Sequence, residues 1–436
     1  MSGITCKFGG SSLANEECIR RAVDIIHENP ERRFIVPSAP GKRSGDDQKI
    51  TDLLYAWHSM ARQGLDASEP ARIIAQRFRE LAEALGVGFD VAAHLDQIAS
   101  EVRRYETPDY MASRGEYLNG RLLAELLGAT FVDPAHFIKF DKMGRLDPVS
   151  YTLLGEQLGG TGVYVVPGFY GSDHAGRIKT FSRGGSDITG AVVARASGSR
   201  LYENWTDVSG FLMADPGIVS DARGIAEITY QELRELSYMG ATVLHDEAIF
   251  PVREAGIPIN IRNTLEPAHP GTTIVRSRKA TQVVCGIAGR RGLSMINVEK
   301  AFMNKERGFG LKVLSVLNDF DINWEHMPTG IDTISLIVRD EELNGKGEEI
   351  VETIRERCKT DEVSFTAGLA MIATVGVGMN RHIGTAARLC GALADAKINL
   401  RVIDQGSSEM NIIIGVDEKD FESAVRCIYE AFESWK

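Results

Sequence analysis

Over the first two-thirds of the chain, short apolar runs alternate with amphipathic stretches. Ile4 to Phe8 is an apolar run of strand length, followed by Gly9-Gly10-Ser11-Ser12 and a helical pattern from about Asn15 to His27. Arg33 to Ala39 is a second buried strand, short, apolar and broken by Pro37. Helical periodicity then runs from about Lys49 to Arg104, punctuated by Gly and Pro. Strand-like runs recur at Thr130–Asp133, Gly162–Pro167, Ser199–Glu203 and Ile257–Ile261, with helix-length segments between them. Strands alternating with helices predict a largely parallel sheet covered by helices on both faces, an α/β domain over residues 1–275.

After Pro270-Gly271 the texture changes and an internal repeat emerges. Phe309 to Ile322 is an amphipathic helix leading into strand Ile322–Met327, then strand Asp332–Val338 and a helix near Gly347–Cys358. Ile383 to Ile398 leads into Ile398–Ile403, then Met410–Val416 and a helix near Phe421–Phe432. Aligning Ile322-Asn323 with Ile398-Asn399 sets Val313, Leu317 and Ile334 against Leu389, Leu393 and Met410, so the apolar positions keep register. Two α+β units of βαββαβ type are the simplest account; a single irregular α+β domain is the plainer alternative.

Composition narrows the class. The 436 residues are 43% hydrophobic and 25% charged, the balance of a globular chain, and long enough to bury a core without disulfides or a structural metal. A formal charge of -11 argues against a nucleic-acid partner. No apolar run approaches the roughly 18 residues of a membrane span, and the start, MSGITCKFGGSS, lacks a signal-peptide pattern. A cytoplasmic protein is the expectation. The six cysteines (Cys6, Cys18, Cys285, Cys358, Cys390 and Cys427) include no C-x-x-C and read as small buried hydrophobes in a reducing compartment. The nine histidines show no zinc-ligand spacing, so no protein-built metal site is expected.

Chemistry gathers at turns between strands and helices. Lys7-Phe8-Gly9-Gly10-Ser11-Ser12 sets a lysine at a strand end and small residues before a helix, where backbone N–H groups and a point charge suit phosphate. Ser182-Arg183-Gly184-Gly185-Ser186-Asp187 precedes the helix read at Ile188–Ala196. Arg183 could clamp a carboxylate there, and Asp187 is either functional or an N-cap. Ser113-Arg114-Gly115-Glu116 precedes a helix read at Tyr117–Leu127. Glu116 either complements that helix's positive end or holds a substrate ammonium. Trp205-Thr206-Asp207-Val208-Ser209-Gly210 is a polar loop whose aromatic either meets a nucleotide base or lies in a plain turn. Ligands gather at such strand ends in open α/β sheets.

Together these segments resemble the aspartokinases, monofunctional members of the amino-acid kinase fold. The resemblance rests on K-F-G-G-S-S at Lys7–Ser12, S-A-P at Ser38–Pro40, T-D-L-L at Thr51–Leu54, and S-R-G-E at Ser113–Glu116. It continues through S-R-G-G-S-D at Ser182–Asp187, W-T-D-V-S-G at Trp205–Gly210, A-D-P at Ala214–Pro216 and V-L-H at Val243–His245. The C-terminal repeat resembles paired regulatory ACT units. The resemblance implies a first unit at 292–365 and a second made of 280–291 plus 366–436, with no homoserine dehydrogenase extension.

The resemblance implies phosphoryl transfer from ATP to the side-chain carboxylate of L-aspartate, giving 4-phospho-L-aspartate, the first step toward lysine, threonine and methionine. The nucleophile is already ionised, so positioning and charge neutralisation would carry the catalysis. Lys7 and Asp187 would be catalytic, with Asp187 organising Lys7 or helping to receive the substrate ammonium. Thr51, Glu116, Arg183, Gly184, Gly185 and Ser186 would bind aspartate: Arg183 a carboxylate, Glu116 the ammonium. Lys7, Phe8, Gly9, Gly10, Ser11, Ser38, Thr206, Asp207, Leu212, Asp215, Pro216 and Thr242 would line the ATP site, with Mg2+ arriving on the phosphates. The family often has arginine where this chain has Gly217 and lysine where it has Thr242, leaving Arg223, Arg253 or Arg262 to compensate. The resemblance also implies a homodimer, or a higher assembly, formed through the ACT units. An effector amino acid, lysine before threonine, would bind at Met303, Gly308, Phe309, Glu325 and Asp332. The plainer reading makes Phe309 core and Glu325 merely exposed. Rival readings are a glutamate or N-acetylglutamate kinase and a catalytically silent sensor of the same fold.

Overall fold

The computed structural model describes residues 3–435 apart from Glu106, Arg183, Thr242, Val243 and His245, and only the backbone of Asp246, Glu247 and Ala248. The elements begin β1 (Ile4–Phe8), α1 (Glu16–Glu28), β2 (Arg32–Pro37), α2 (Ile50–Arg62), α3 (Ser68–Leu85), α4 (Val91–Glu101) and α5 (Asp109–Leu127). There follow β3 (Thr130–Phe131), α6 (Pro134–Phe137), β4 (Lys139–Phe140), α7 (Val149–Gln157), β5 (Tyr164–Val165), β6 (Tyr170–Asp173), β7 (Ile178–Thr180), α8 (Gly185–Ala196) and β8 (Leu201–Thr206). Next come β9 (Glu227–Thr229), α9 (Tyr230–Tyr238), α10 (Asp246–Ala255), β10 (Ile259–Asn263), β11 (Thr272–Val275), β12 (Gly286–Glu299), α11 (Phe309–Asp319), β13 (Trp324–His326) and β14 (Thr333–Arg339). The chain ends with α12 (Asp340–Leu343), α13 (Gly347–Cys358), β15 (Glu362–Val375), α14 (Thr385–Asp395), β16 (Val402–Asp404), β17 (Asn411–Asp417) and α15 (Phe421–Phe432). Among the described residues no helix is long and apolar enough to cross a membrane.

Two compact units result. One comprises Met1–Phe211, Gly224–Tyr230 and Val243–Arg278, the other Leu212–Arg223, Gln231–Thr242 and Lys279–Lys436. Two stretches from within the span expected to form one α/β domain therefore group with the C-terminal region.

The first unit is built on an eight-stranded sheet ordered β3-β5-β2-β1-β8-β10-β11-β9, parallel except where β11 runs against β10. β1 is buried at every position and sits at its centre, paired with β2 and β8. α1 starts where Asn15 accepts a hydrogen bond from the Cys18 amide. Glu16 and Glu17 complement the positive end, and Ile19, Ala22, Ile25 and Ile26 form the buried stripe. Gly86 and Gly128, both left-handed, end α3 and α5. Expected strands are present with different ends: Gly162–Pro167 pairs only over Tyr164–Val165, with β2 on one side and β3 on the other. A three-stranded sheet, β4-β6-β7, was not visible in the sequence because its strands run two to four residues.

The helix expected at Tyr117–Leu127 begins about two turns earlier, at Asp109, so Ser113-Arg114-Gly115-Glu116 lies inside α5 rather than before it. Glu116 therefore does not complement a helix start. Residues Tyr110 to Gly120 are all buried, so no amphipathic stripe marks where this helix begins. A Cβ on Gly115 would stand 2.9 Å from Ala39 Cβ, and one on Gly120 2.5 Å from Pro167 Cγ. These glycines bring α5 against the segments that follow β2 and β5.

On one face of the central strands lies a buried charged network. Arg32 donates to Glu203 from Nε at 2.8 Å and Nη2 at 3.2 Å, and Trp205 Nε1 donates to Glu203 Oε2 at 2.9 Å. Trp205 is fully buried, stacked on Phe8 at 6.1 Å and faced by the Arg262 guanidinium at 4.6 Å. It meets no nucleotide base: it alternates inward on β8. Arg262 also donates to Pro267 O at 2.6 Å, so the fold uses this arginine. Cys6 donates to Glu203 Oε2 at 3.4 Å, and burial with the Glu203 charge holds its thiol well above the usual range. Cys6, Cys285 and Cys358 are buried, whereas Cys18, Cys390 and Cys427 are half-buried, and no disulfide joins them.

The second unit holds a six-stranded antiparallel sheet ordered β13-β14-β12-β15-β17-β16. Its centre is a pair of 14-residue strands, β12 and β15. Leu293–Glu299 of β12 pairs with β14, while Leu369–Val375 of β15 pairs with β17. Gly286–Arg290 of β12 lies beside Met371–Val375, and thus beside the later repeat. Register shifts fall near Gly292 and Gly368, both left-handed. α11 packs on α13 and α14 on α15. Val313 and Leu317 on α11 and Leu389 and Leu393 on α14 are buried at matching helix positions, but β17 begins two residues later in its repeat than β14 does, so Ile334 corresponds to Ile412 rather than to Met410.

Replacing Glu203 by Ala leaves Arg32 buried without its partner, a loss of about 3–5 kcal/mol. The urea midpoint followed by Trp205 fluorescence should fall accordingly, and a shift below about 1 kcal/mol would contradict the network's role.

Candidate active site

β1 delivers Lys7 to its C-terminal end and passes at once into a tight turn. The Gly9 amide donates to Trp205 O at 3.0 Å, and the Gly10 carbonyl accepts from the Gly41 amide at 2.8 Å. A Cβ on Gly41 would lie 2.6 Å from Gly10 C and O, so the segment after β2 rests directly on this turn. Arg77 holds that segment, donating to Gly41 O and to Gln48 O and pairing with Asp47 at 3.2 Å. The neighbouring Arg43 guanidinium, with Arg77, holds the Asp47 carboxyl down at about 2.

α8 starts opposite. Its N-cap is Gly184 at φ 74, followed by Gly185, Ser186 and Asp187 in the first turn, and the Asp187 amide donates back to Gly184 O at 2.9 Å. Asp187 is not the N-cap; its Oδ1 pairs with Lys7 Nζ at 2.7 Å. Lys7 also donates to Asn204 Oδ1 at 3.3 Å, and Asn204 Nδ2 donates to Asp187 Oδ1 at 2.9 Å.

The third wall is α5. Glu116 is 7% exposed, and its Oε2 is buried without a hydrogen-bond partner among the described residues. Burial pushes its pKa from 4.5 to about 8, against hydrogen bonds from the backbone at Ala39 and Glu116 and the charge of Arg114. An unpartnered, buried carboxyl oxygen is suited to a cation, which would restore its ionised form.

One cleft of ≈ 520 Å³ gathers Lys7, Gly9, Gly10, Ser38, Thr51, Glu116, Gly184, Gly185, Ser186 and Asp187. Lys49, Asp52, Phe169 and Ser182 complete its lining. Lys49 and Asp52 flank Thr51 and were open to inference by adjacency. Phe169 was not, since its left-handed backbone at φ 80 is a tertiary property. Phe8 faces the opposite side of the sheet, where it stacks on Trp205, and Ser11 is exposed outside the cleft lining. Thr206 and Asp207, joined by a 3.1 Å hydrogen bond, also lie outside it. Leu212, Asp215 and Pro216 belong to the second unit, where Asp215 Oδ1 accepts from the Gly217 amide at 2.8 Å. Arg223 belongs there too, and contacts Met213 Sδ at 3.8 Å. Arg183 and Thr242 lie outside the described residues.

The expected effector residues occupy different settings. Met303 and Phe309 are buried in the core under β12 and β14, and Lys300 lies over the Phe309 ring at 5.1 Å. Gly308 is the left-handed N-cap of α11, and Asp332 is exposed. Glu325 is not merely exposed: it is half-buried, with its side chain paired to Arg339 at 2.8 Å and Arg290 at 3.5 Å. A groove of ≈ 400 Å³ beside them is lined instead by Leu311, Leu314, Asn318, Asn323 and Trp324 among others.

Residues 4–263 match the amino acid kinase family, and residues 372–432 match the ACT domain. Aspartokinase 3 of Bacillus subtilis (strain 168) is 36% identical over 98% of both chains. The crystal structure of Clostridium acetobutylicum aspartate kinase is 46% identical, with a TM-score of 0.94 over 99% of this chain and 100% of that one. Escherichia coli aspartokinase III in complex with aspartate and ADP gives a TM-score of 0.72 at 26% identity, over 98% of this chain and 99% of that one. The chain thus belongs to the amino acid kinase family. Within that family it is an aspartate kinase with a C-terminal ACT region, and the silent-sensor and glutamate-kinase readings are set aside.

Because folded Glu116 keeps its proton between about 4.5 and about 8 while the unfolded chain loses it, Glu116 should make stability fall as pH rises through that window. Glu116→Gln removes this dependence. Without substrate, the thermal midpoint of the variant should exceed the parent's at pH 8.5 and converge with it near pH 4.5; parallel curves would contradict the buried neutral carboxyl.

Proposed function

We propose that this aspartate kinase transfers the terminal phosphoryl group of ATP to the side-chain carboxylate of L-aspartate, giving 4-phospho-L-aspartate. The buried, unpartnered Glu116 oxygen in the same cleft as Lys7 carries this reading, because it offers an ammonium site beside a phosphate site. Glu116 receives the ammonium group. Lys7 neutralises charge on the transferring oxygens, Asp187 organises Lys7, and the Gly10 amide lines the phosphate path, with Gly9, whose own amide is held by Trp205 O, allowing close backbone approach. Thr51, Gly184, Gly185 and Ser186 fix aspartate, with Arg183 on its carboxylate. Mg2+ comes with the nucleotide phosphates and supplies charge neutralisation there. The E. coli relative solved with aspartate and ADP supports the choice of substrates, and the same enzyme solved with lysine and aspartate supports lysine as effector ahead of threonine. A homodimer formed through the ACT region completes the reading.

ATP-dependent formation of an acyl phosphate, trapped as the hydroxamate, should occur with L-aspartate and not with L-glutamate. No product from either acid with the folded protein would overturn the proposal. Glu116→Gln should raise KM for aspartate roughly 30-fold or more, the loss of about 2 kcal/mol expected for an unpaired buried charge, and leave KM for ATP within about three-fold. Glu325→Ala should keep basal activity and lose lysine inhibition; unchanged inhibition would remove Glu325 from the effector site.

A further inference from the structure

Asp187 is gripped from one strand at two points. β8 lies beside β1 in a parallel register that sets Asn204 next to Lys7 and Tyr202 next to Thr5. Tyr202 and Asn204 are two residues apart, so their side chains leave the same face of the strand. The Tyr202 hydroxyl donates to the Asp187 backbone carbonyl at 3.1 Å, and Asn204 Nδ2 donates to the Asp187 carboxylate at 2.9 Å. α8 makes room for this at Gly190, where a Cβ would lie 2.4 Å from the tyrosine oxygen.

The Asn204 amide also accepts from Lys7 Nζ at 3.3 Å, closing a triangle with the 2.7 Å Lys7–Asp187 pair. Only one orientation of the amide serves both neighbours, with nitrogen to the carboxylate and oxygen to the ammonium. An apolar side chain here would leave the Asp187 carboxylate tied to Lys7 alone. A carboxylate would set a second negative charge against Lys7. The amide is neutral, so it orients the pair without altering its charge.

We propose that Asn204 is a positioning residue for phosphoryl transfer, holding the Asp187 carboxylate on β8 so that the Lys7 ammonium can turn to phosphate while Asp187 stays in place. This rests on the reading that Lys7 and Asp187 serve that reaction. The plainer account is that Asn204, 3% exposed, is a buried amide satisfying its own hydrogen bonds. The two accounts separate kinetically, since a structural amide acts through stability and a positioning one through Asp187.

Asn204→Leu and Asn204→Ser should lower kcat about 10- to 100-fold, with KM for aspartate and for ATP each within about three-fold. In an Asp187→Asn background, Asn204→Leu should cost less than about two-fold, because the effect passes through the aspartate. Having two substitutions guards against one that fails to fold, and the thermal midpoint reports folding for each. A folded Asn204→Leu or Asn204→Ser with kcat within two-fold of the parent would overturn the proposal. So would a full additional loss in the Asp187→Asn background. An inactive parent enzyme would instead remove the underlying phosphotransferase reading, so the two failures are distinguishable.

Discussion

The parallel register between β1 and β8 is the constraint on which the cleft depends. It sets Lys7 beside Asn204 on one face and Cys6 beside Glu203 on the other. The first face carries the Lys7–Asp187 pair, and the second carries a buried carboxylate held by Arg32 and Trp205. A slip by one residue would exchange them, putting the arginine network where the ligand cleft is and the lysine into the core. The fold and the site are thus fixed by the same ladder of hydrogen bonds.

Much of this was legible because it is local. The apolar run Ile4–Phe8 coincides with β1, and the helical pattern from about Asn15 to His27 coincides with α1. The glycine turns after Phe8 and Ser182 gave away the strand–helix junctions. What stayed hidden depends on surroundings. The sequence shows Trp205 at the edge of a polar loop, but alternation on β8 turns it inward. Glu116 reads as a helix-start carboxylate because α5 is buried nearly all round and has no polar face to reveal its true length. Asn204 carried no signal, since its meaning lies in a neighbour 197 positions away.

Burial also explains the division of labour among the cleft's acids. Asp187 is matched by the Lys7 cation, whereas Glu116 has none within pairing distance among the described residues and burial raises its pKa to about 8. On the proposed reading, an ammonium bound at Glu116 near neutral pH would expel a proton, linking substrate affinity to pH through a residue that takes no part in bond-making. Glycine at positions 10, 41 and 115 keeps this arrangement narrow, because each brings backbone where a side chain would stand.

The second unit has a different kind of dependence. Its sheet borrows partners from stretches that precede Lys279: the Val377 amide donates to Glu232 at 2.8 Å, Asn411 Nδ2 to Glu235 at 2.6 Å, and the Ile287 amide to Met213 O at 2.7 Å. The backbone passes between the units at Phe211–Leu212, Arg223–Gly224 and Tyr230–Gln231 as well as at Arg278–Lys279. The regulatory half is therefore no cassette. A fragment cut at Lys279 would leave those donors without acceptors, and grafting it onto another kinase would mean transplanting segments from the middle of the chain along with its end.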